Sequence, residues 1–162
     1  MTGEDLVKMF ELSFAAISRN LDNVNEAESL VKPPAGGNSF NWVLGHIVVA
    51  RGGVLTLVGE TPVCPEAQAA PYRRGISPSE SDPLLDLATL RGYLADSQQR
   101  LLPALAMMSE EKLARPVPEP MNRPPLTGSI GDALIRLQYH EGYHNGQLGL
   151  LRRIAGKDGA IK

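Results

Sequence analysis

The stretch 140-HEGYHNGQLGLLRR-153 contains the string H-E-x-x-H, built from His140, Glu141 and His144. Two imidazoles four residues apart on a helix aim at one point, and a carboxylate between them can serve as a base. That is the zinc-protease signature. The chain has only three histidines, and the third is His46 in 42-WVLGHIVVA-50. Divalent-metal chemistry is therefore the first hypothesis, and the missing ligand decides its kind.

A zinc protease takes its third ligand downstream. The long form asks for glycine three residues after the second histidine and histidine six after it. Gln147 and Leu150 stand there instead. The other form draws a glutamate from a later helix, but no glutamate follows His144, and Asp158 is the last acid. The third ligand must come from upstream, so the peptidase reading is rejected.

On a helical wheel of about 100° per residue, His140 lies about 40° from His144. Ile130, Ala133, Leu137, Leu148 and Leu151 fall within about 40° of the same line. The histidines thus occupy the stripe that must face a core. A buried imidazole costs several kcal/mol if a ring nitrogen lacks a partner. A metal answers this, since neutral imidazole is a common nitrogen ligand. His46 sits in the other strongly apolar segment and can reach the same depth. Three histidines leave coordination positions for water or substrate. The alternative is a metal-free cluster in which His140, His144 and Glu141 bond to one another while His46 packs elsewhere. Glu141 lies about 60° off the line and could orient a ring, accept a proton, or pair with solvent or another helix. Gln147, about 60° to the other side, is an outer hydrogen-bond candidate. Tyr143, about 100° away, reads as structural.

Four helical segments must carry these groups. The first spans about residues 3–24, capped by Thr2 with Asp5, with Leu6, Phe10, Ile17, Leu21 and Val24 on one face. The second spans about residues 40–58, capped by Asn38 or Ser39, and is apolar on most sides. The third spans about residues 84–102, started by Asp82-Pro83 and ended or kinked at Pro103. A short helical turn over residues 109–113 follows it. The fourth spans about residues 130–154, capped by Ser129 with Asp132. Four such helices predict an all-α, four-helix bundle in one domain, residues 1–162. Two proline-rich connections, residues 59–83 and 114–128, are long enough to be binding loops or crossovers between non-adjacent helices. Tyr72, Arg73 and Arg74 in the first could meet an anionic substrate. Gly131, Gly142, Gly146 and Gly149 line the back of the fourth helix. Each costs about 1 kcal/mol against alanine there, which predicts close approach by another helix, within the chain or across a dimer.

The totals add limits. A net charge of −2 and 43% apolar residues describe an ordinary globular chain without the basic footprint of a nucleic-acid binder. No apolar run approaches the roughly 20 residues that span a bilayer. The amphipathic start does not read as a signal peptide, and the single cysteine, Cys64, fits a reducing cytoplasm. Nothing beside Cys64 in sequence would lower its pKa.

The pairing of 41-NWVLGHIVVAR-51 with 140-HEGYHNGQL-148 resembles the DinB-like family of small four-helix bundles. The resemblance covers nearly the whole chain, but its specific part is about twenty residues. It implies a divalent metal, zinc or nickel, on His46, His140 and His144. It also implies a homodimer acting on a small molecule, as a thiol-dependent S-transferase using a low-molecular-weight thiol, or as a related isomerase or hydrolase; the alternative is a non-catalytic metal-stabilised bundle for ligand binding or dimerisation in stress response. It implies neither a nucleic-acid nor a membrane partner.

Overall fold

The computed structural model describes residues 1–76, 84–122 and 125–160. Among them the regular structure is helical, and one isolated bridge joins Pro116 to Ser129. Four long helices form the body: α1 (Gly3–Leu21), α3 (Phe40–Leu57), α5 (Leu87–Ala106) and α7 (Ile130–Ile154). Three short ones lie between them: α2 (Glu26–Ser29), α4 (Glu66–Ala69) and α6 (Glu110–Ala114), the last within a residue of the expected turn. Each long helix packs on two neighbours, α1 and α3 each on both α5 and α7, which closes the bundle.

The expected caps on α1 and α7 form as reciprocal pairs, Thr2 with Asp5 and Ser129 with Asp132, and Ser39 caps α3. Two boundaries differ from expectation. α1 stops at Leu21 because Asn23 turns left-handed at φ 57°, and Asn25 then caps the unforeseen α2. Val24 still enters the core from outside the helix. α5 starts later, capped by Asp86; the expected starter Asp82-Pro83 lies outside the described residues. It also runs past Pro103, which removes only the hydrogen bond to the carbonyl of Gln99, an exposed residue.

The core has two apolar layers. One gathers Ile17, Leu44, Ile47, Leu90, Leu94 and Leu148, among others. The other gathers Leu6, Phe10, Leu55, Leu101, Leu105 and Leu134. Following each helix through the layers gives its direction. α3 and α5 pass from the first layer to the second, whereas α1 and α7 pass the other way. The neighbours α3 and α5 thus run the same way, so their connection must travel back along the bundle. This is why residues 58–86 are long, and the two helices they join are adjacent, not separated. α3 is long and apolar enough to cross a bilayer by length and composition, but 78% of it is buried, as in a core helix.

Candidate metal centre

Three side chains from two helices meet near the junction of the layers. α7 supplies His140 and His144, one turn apart, and α3 supplies His46. The Nε2 of His140 lies 3.1 Å from the Nε2 of His46 and 3.1 Å from that of His144. Their candidate ligand atoms all fall within 4.8 Å of one another. Among the described residues no cysteine or carboxylate joins this group.

The outer nitrogens determine what the inner ones can do. His46 Nδ1 lies 2.7 Å from the carbonyl oxygen of Tyr72, which can only accept. His144 Nδ1 lies 2.7 Å from Oε1 of Gln147, whose Nε2 in turn faces the Tyr143 hydroxyl at 3.4 Å. Both rings therefore carry their proton on Nδ1 and present a bare lone pair at Nε2. Both lone pairs point at one atom of His140, which can donate to only one of them. The Nδ1 of His140 is buried without a partner. A metal-free cluster leaves a lone-pair clash at 3.1 Å and an unpaired ring atom. A cation among the three Nε2 atoms removes the clash. Bonds of about 2.0–2.1 Å place neighbouring nitrogens about 2.9–3.4 Å apart, depending on the ligand angle. The donor set fits a divalent metal.

Electrostatics favour the ligating form. Burial is the main cause lowering the His140 pKa to about 4, helped by His144, His46 and the Arg74 cation. Burial lowers His46 too, against the Tyr72 bond that raises it, with Arg74 adding to the depression. Burial lowers His144, against the Gln147 bond. All three are neutral at neutral pH, as a ligand must be.

The long connection builds one wall. Trp42 stacks on His46 with ring centroids 5.0 Å apart and 8° between planes, and its Nε1 donates to Pro71 O at 2.9 Å. Tyr72 is fully buried; its hydroxyl donates to Asn41 Oδ1 and accepts from Leu85 N at 2.7 Å. Its ring lies on Gly45, where an added Cβ would sit 2.2 Å from Cδ1 and Cε1. The glycine before His46 thus admits the residue whose carbonyl orients His46.

Glu141 does not face the histidines' inner nitrogens. It is buried, with Oε1 accepting from Ser13 Oγ and Arg51 Nη2 and Oε2 from Arg51 Nε, all at 2.8 Å. Arg51, from α3, also donates to Gln98 Oε1 at 2.8 Å and Ser97 Oγ at 3.3 Å, both on α5. Sequence reasoning missed this network; its available signal was a lone arginine closing the apolar run of α3. The Tyr72 carbonyl was invisible, because a backbone ligand has no residue type. Gln147 falls where the wheel put it. Tyr143 is mostly exposed, its ring 5.1 Å from that of His144. Arg73 pairs with Glu66 on the surface. Burial, with the Glu66 carboxylate adding to it, pushes the Cys64 thiol pKa up, the opposite of what a nucleophile needs.

Residues 9–148 match the sequence profile of the DinB superfamily, which covers most of the chain. The chain belongs to the DinB superfamily. A conserved protein from Enterococcus faecalis has a similar solved structure, with TM-score 0.71 and 18% identity. The match covers 97% of this chain and 99% of that one, and shows a shared fold. No curated protein matches the sequence. Within this DinB-superfamily chain the bundle brings His46 to the depth of His140 and His144, whose spacing already paired them.

Proposed function

We propose that this DinB-superfamily chain is a cytoplasmic metal-dependent enzyme acting on a small molecule. His46, His140 and His144 hold a divalent ion, zinc or nickel. The reaction is hydrolysis, or S-transfer from a low-molecular-weight thiol. The observation that carries the reading is the convergence of three Nε2 atoms, two of them left bare by Nδ1 bonds to Tyr72 and Gln147. When bound, such an ion acidifies water or a thiol enough to supply a nucleophile at neutral pH. The protein's own part is positional. Trp42 and Tyr72 lock the His46 ring, Gln147 locks His144, and burial keeps all three neutral. Three ligands, with no fourth among the described residues, leave room for substrate, which favours turnover over a purely structural ion.

Metal analysis of the purified chain beside His144→Ala tests the site. Wild type should carry about one divalent ion per chain, and the variant, with one of three ligands gone, far less. Equal content in both would sink the assignment. A panel of thiols with electrophilic acceptors then separates S-transfer from hydrolysis. The competing reading, an ion held only to stabilise the bundle, expects metal without turnover in any such assay. The partner is a second copy of the chain, meeting along the exposed face of α7.

A further inference from the structure

Between the two apolar core layers lies a polar layer that takes one or two residues from every long helix. Ser13 comes from α1, Arg51 from α3, Ser97 and Gln98 from α5, and Glu141 from α7. On each helix these residues fall between the members of one layer and those of the other. The ion pair at its centre is sealed, with side chains 0% exposed at Arg51 and 3% at Glu141. It is bidentate, and three charge-assisted bonds complete it: Ser13 Oγ donates to Glu141, and Arg51 Nη1 donates to Ser97 Oγ and Gln98 Oε1. Phe14 stacks beneath the guanidinium, 5.6 Å from its carbon.

Stability alone is a poor reason for such a pair. Buried ion pairs are often no better than apolar residues of the same size, because desolvation offsets the attraction. Their best-attested use is to fix register. Register is what the candidate metal centre needs. His140 and His144 share a helix, so their spacing is set by the helix itself. His46 belongs to another helix, and its distance from them depends on how α3 sits against α7. Arg51 follows His46 by five residues, and Glu141 follows His140 directly. A two-point bond between them fixes sliding and rotation at the level of the ligands. His140 depends on this most, since its Nδ1 has no partner to orient the ring.

We infer that Arg51 and Glu141 are positioning residues that register α3 against α7 so that the three Nε2 atoms converge. Glu141 is then not the proton acceptor that its place in H-E-x-x-H suggests, since Arg51 and Ser13 already occupy both of its oxygens. This inference rests on the metal reading above.

Cobalt(II) titration of metal-free protein, followed by visible absorption, tests it. The variants are the apolar double replacement Arg51→Met with Glu141→Leu, and the single Glu141→Gln. The double variant leaves no orphan charge and should keep its helical circular dichroism. Its cobalt affinity should fall about 10–100-fold, the usual loss when outer partners of a metal site are removed. Its absorption bands should also shift, which a change in stability alone would not cause. Glu141→Gln keeps the shape and weakens the clamp. It should fall in the same direction by less, and it decides the matter if the double variant does not fold. Wild-type affinity and an unchanged spectrum in the folded variants would overturn the positioning role and leave the metal site standing. Failure of wild type itself to bind cobalt would overturn both.

Discussion

At the scale of single residues, the histidines carry an electrostatic debt that metal removal exposes. His140 has its pKa lowered from 6.5 to about 4, chiefly by burial, and His46 and His144 move the same way. A lowered folded pKa means that the unfolded chain binds more protons between the two values. The neutral rings therefore contribute full stability above about pH 6.5, and it is lost as pH falls toward 4. The lowered carboxyls at Asp5, Asp86 and Asp132 start from 3.8, so their loss comes at lower pH. Chelator-stripped protein should thus show a falling denaturation midpoint from pH 6.5 to 4.5. Replacing His140 by glutamine should flatten the slope. A stripped wild type with a flat profile over that range would contradict the burial of three neutral rings.

At the scale of elements, the crossover between α3 and α5 acts as a strap whose fit is set by one missing methyl. Alanine at Gly45 would put its Cβ 2.2 Å from the Tyr72 ring, which Asn41 and Leu85 hold from the far side. The ring must leave, and it carries the carbonyl that orients His46. Gly45→Ala should cost about 1–3 kcal/mol of stability as an overpacked core, and weaken metal binding as well. Gly92 in α5 has nothing within 4 Å of an added Cβ. Gly92→Ala should instead gain about 0.5–1 kcal/mol from helix propensity. Thermal melts of the two variants check this opposition; equal melting temperatures would refute the strap. The same contrast explains what the sequence could disclose. Helix faces, caps and the histidine pair were legible because they follow local periodicity and local hydrogen bonds. The end of α1 was missed because one asparagine, Asn23, chose a left-handed turn that no periodicity encodes. Tyr72 was expected to meet an anionic substrate and instead orients His46, and Arg51 was missed, because both roles depend on which element lies opposite. The wheel gave the angle of Glu141 but not its partner.

At the scale of the whole molecule, packing within the chain explains part of the glycine stripe on the back of α7, and the proposed second copy would account for the rest. Gly131 approaches the Leu113 carbonyl, and Gly149 approaches Asn20, so these two answer to packing within the chain. Gly142 and Gly146 meet nothing within 4 Å. Large apolar side chains share this face, while Asn20, Asn145 and Arg153 border Gly146 on one side. Ile135, Tyr139, Tyr143 and Leu150 are all exposed on α7, and Leu12 is 72% exposed on the adjoining α1. The same helix therefore presents a large knob, Tyr139, and a smooth hollow over Gly142 and Gly146. A surface holding both knob and hole is complementary to its own copy under a two-fold axis, where each side inserts into the other. The homodimer proposed above uses this face. A Cβ at Gly146 meets nothing of its own chain within 4 Å, so leucine there adds bulk to the surface of α7 and not to the core. Sedimentation equilibrium should find wild type dimeric and Gly146→Leu shifted toward monomer, by at least about 1.4 kcal/mol, or tenfold in dissociation constant. The change from Gly92→Ala should be none, since α5 lies outside this face. If Gly146→Leu kept both the wild-type oligomeric state and the wild-type stability, the exposed glycines would have no packing partner and this interface would be wrong.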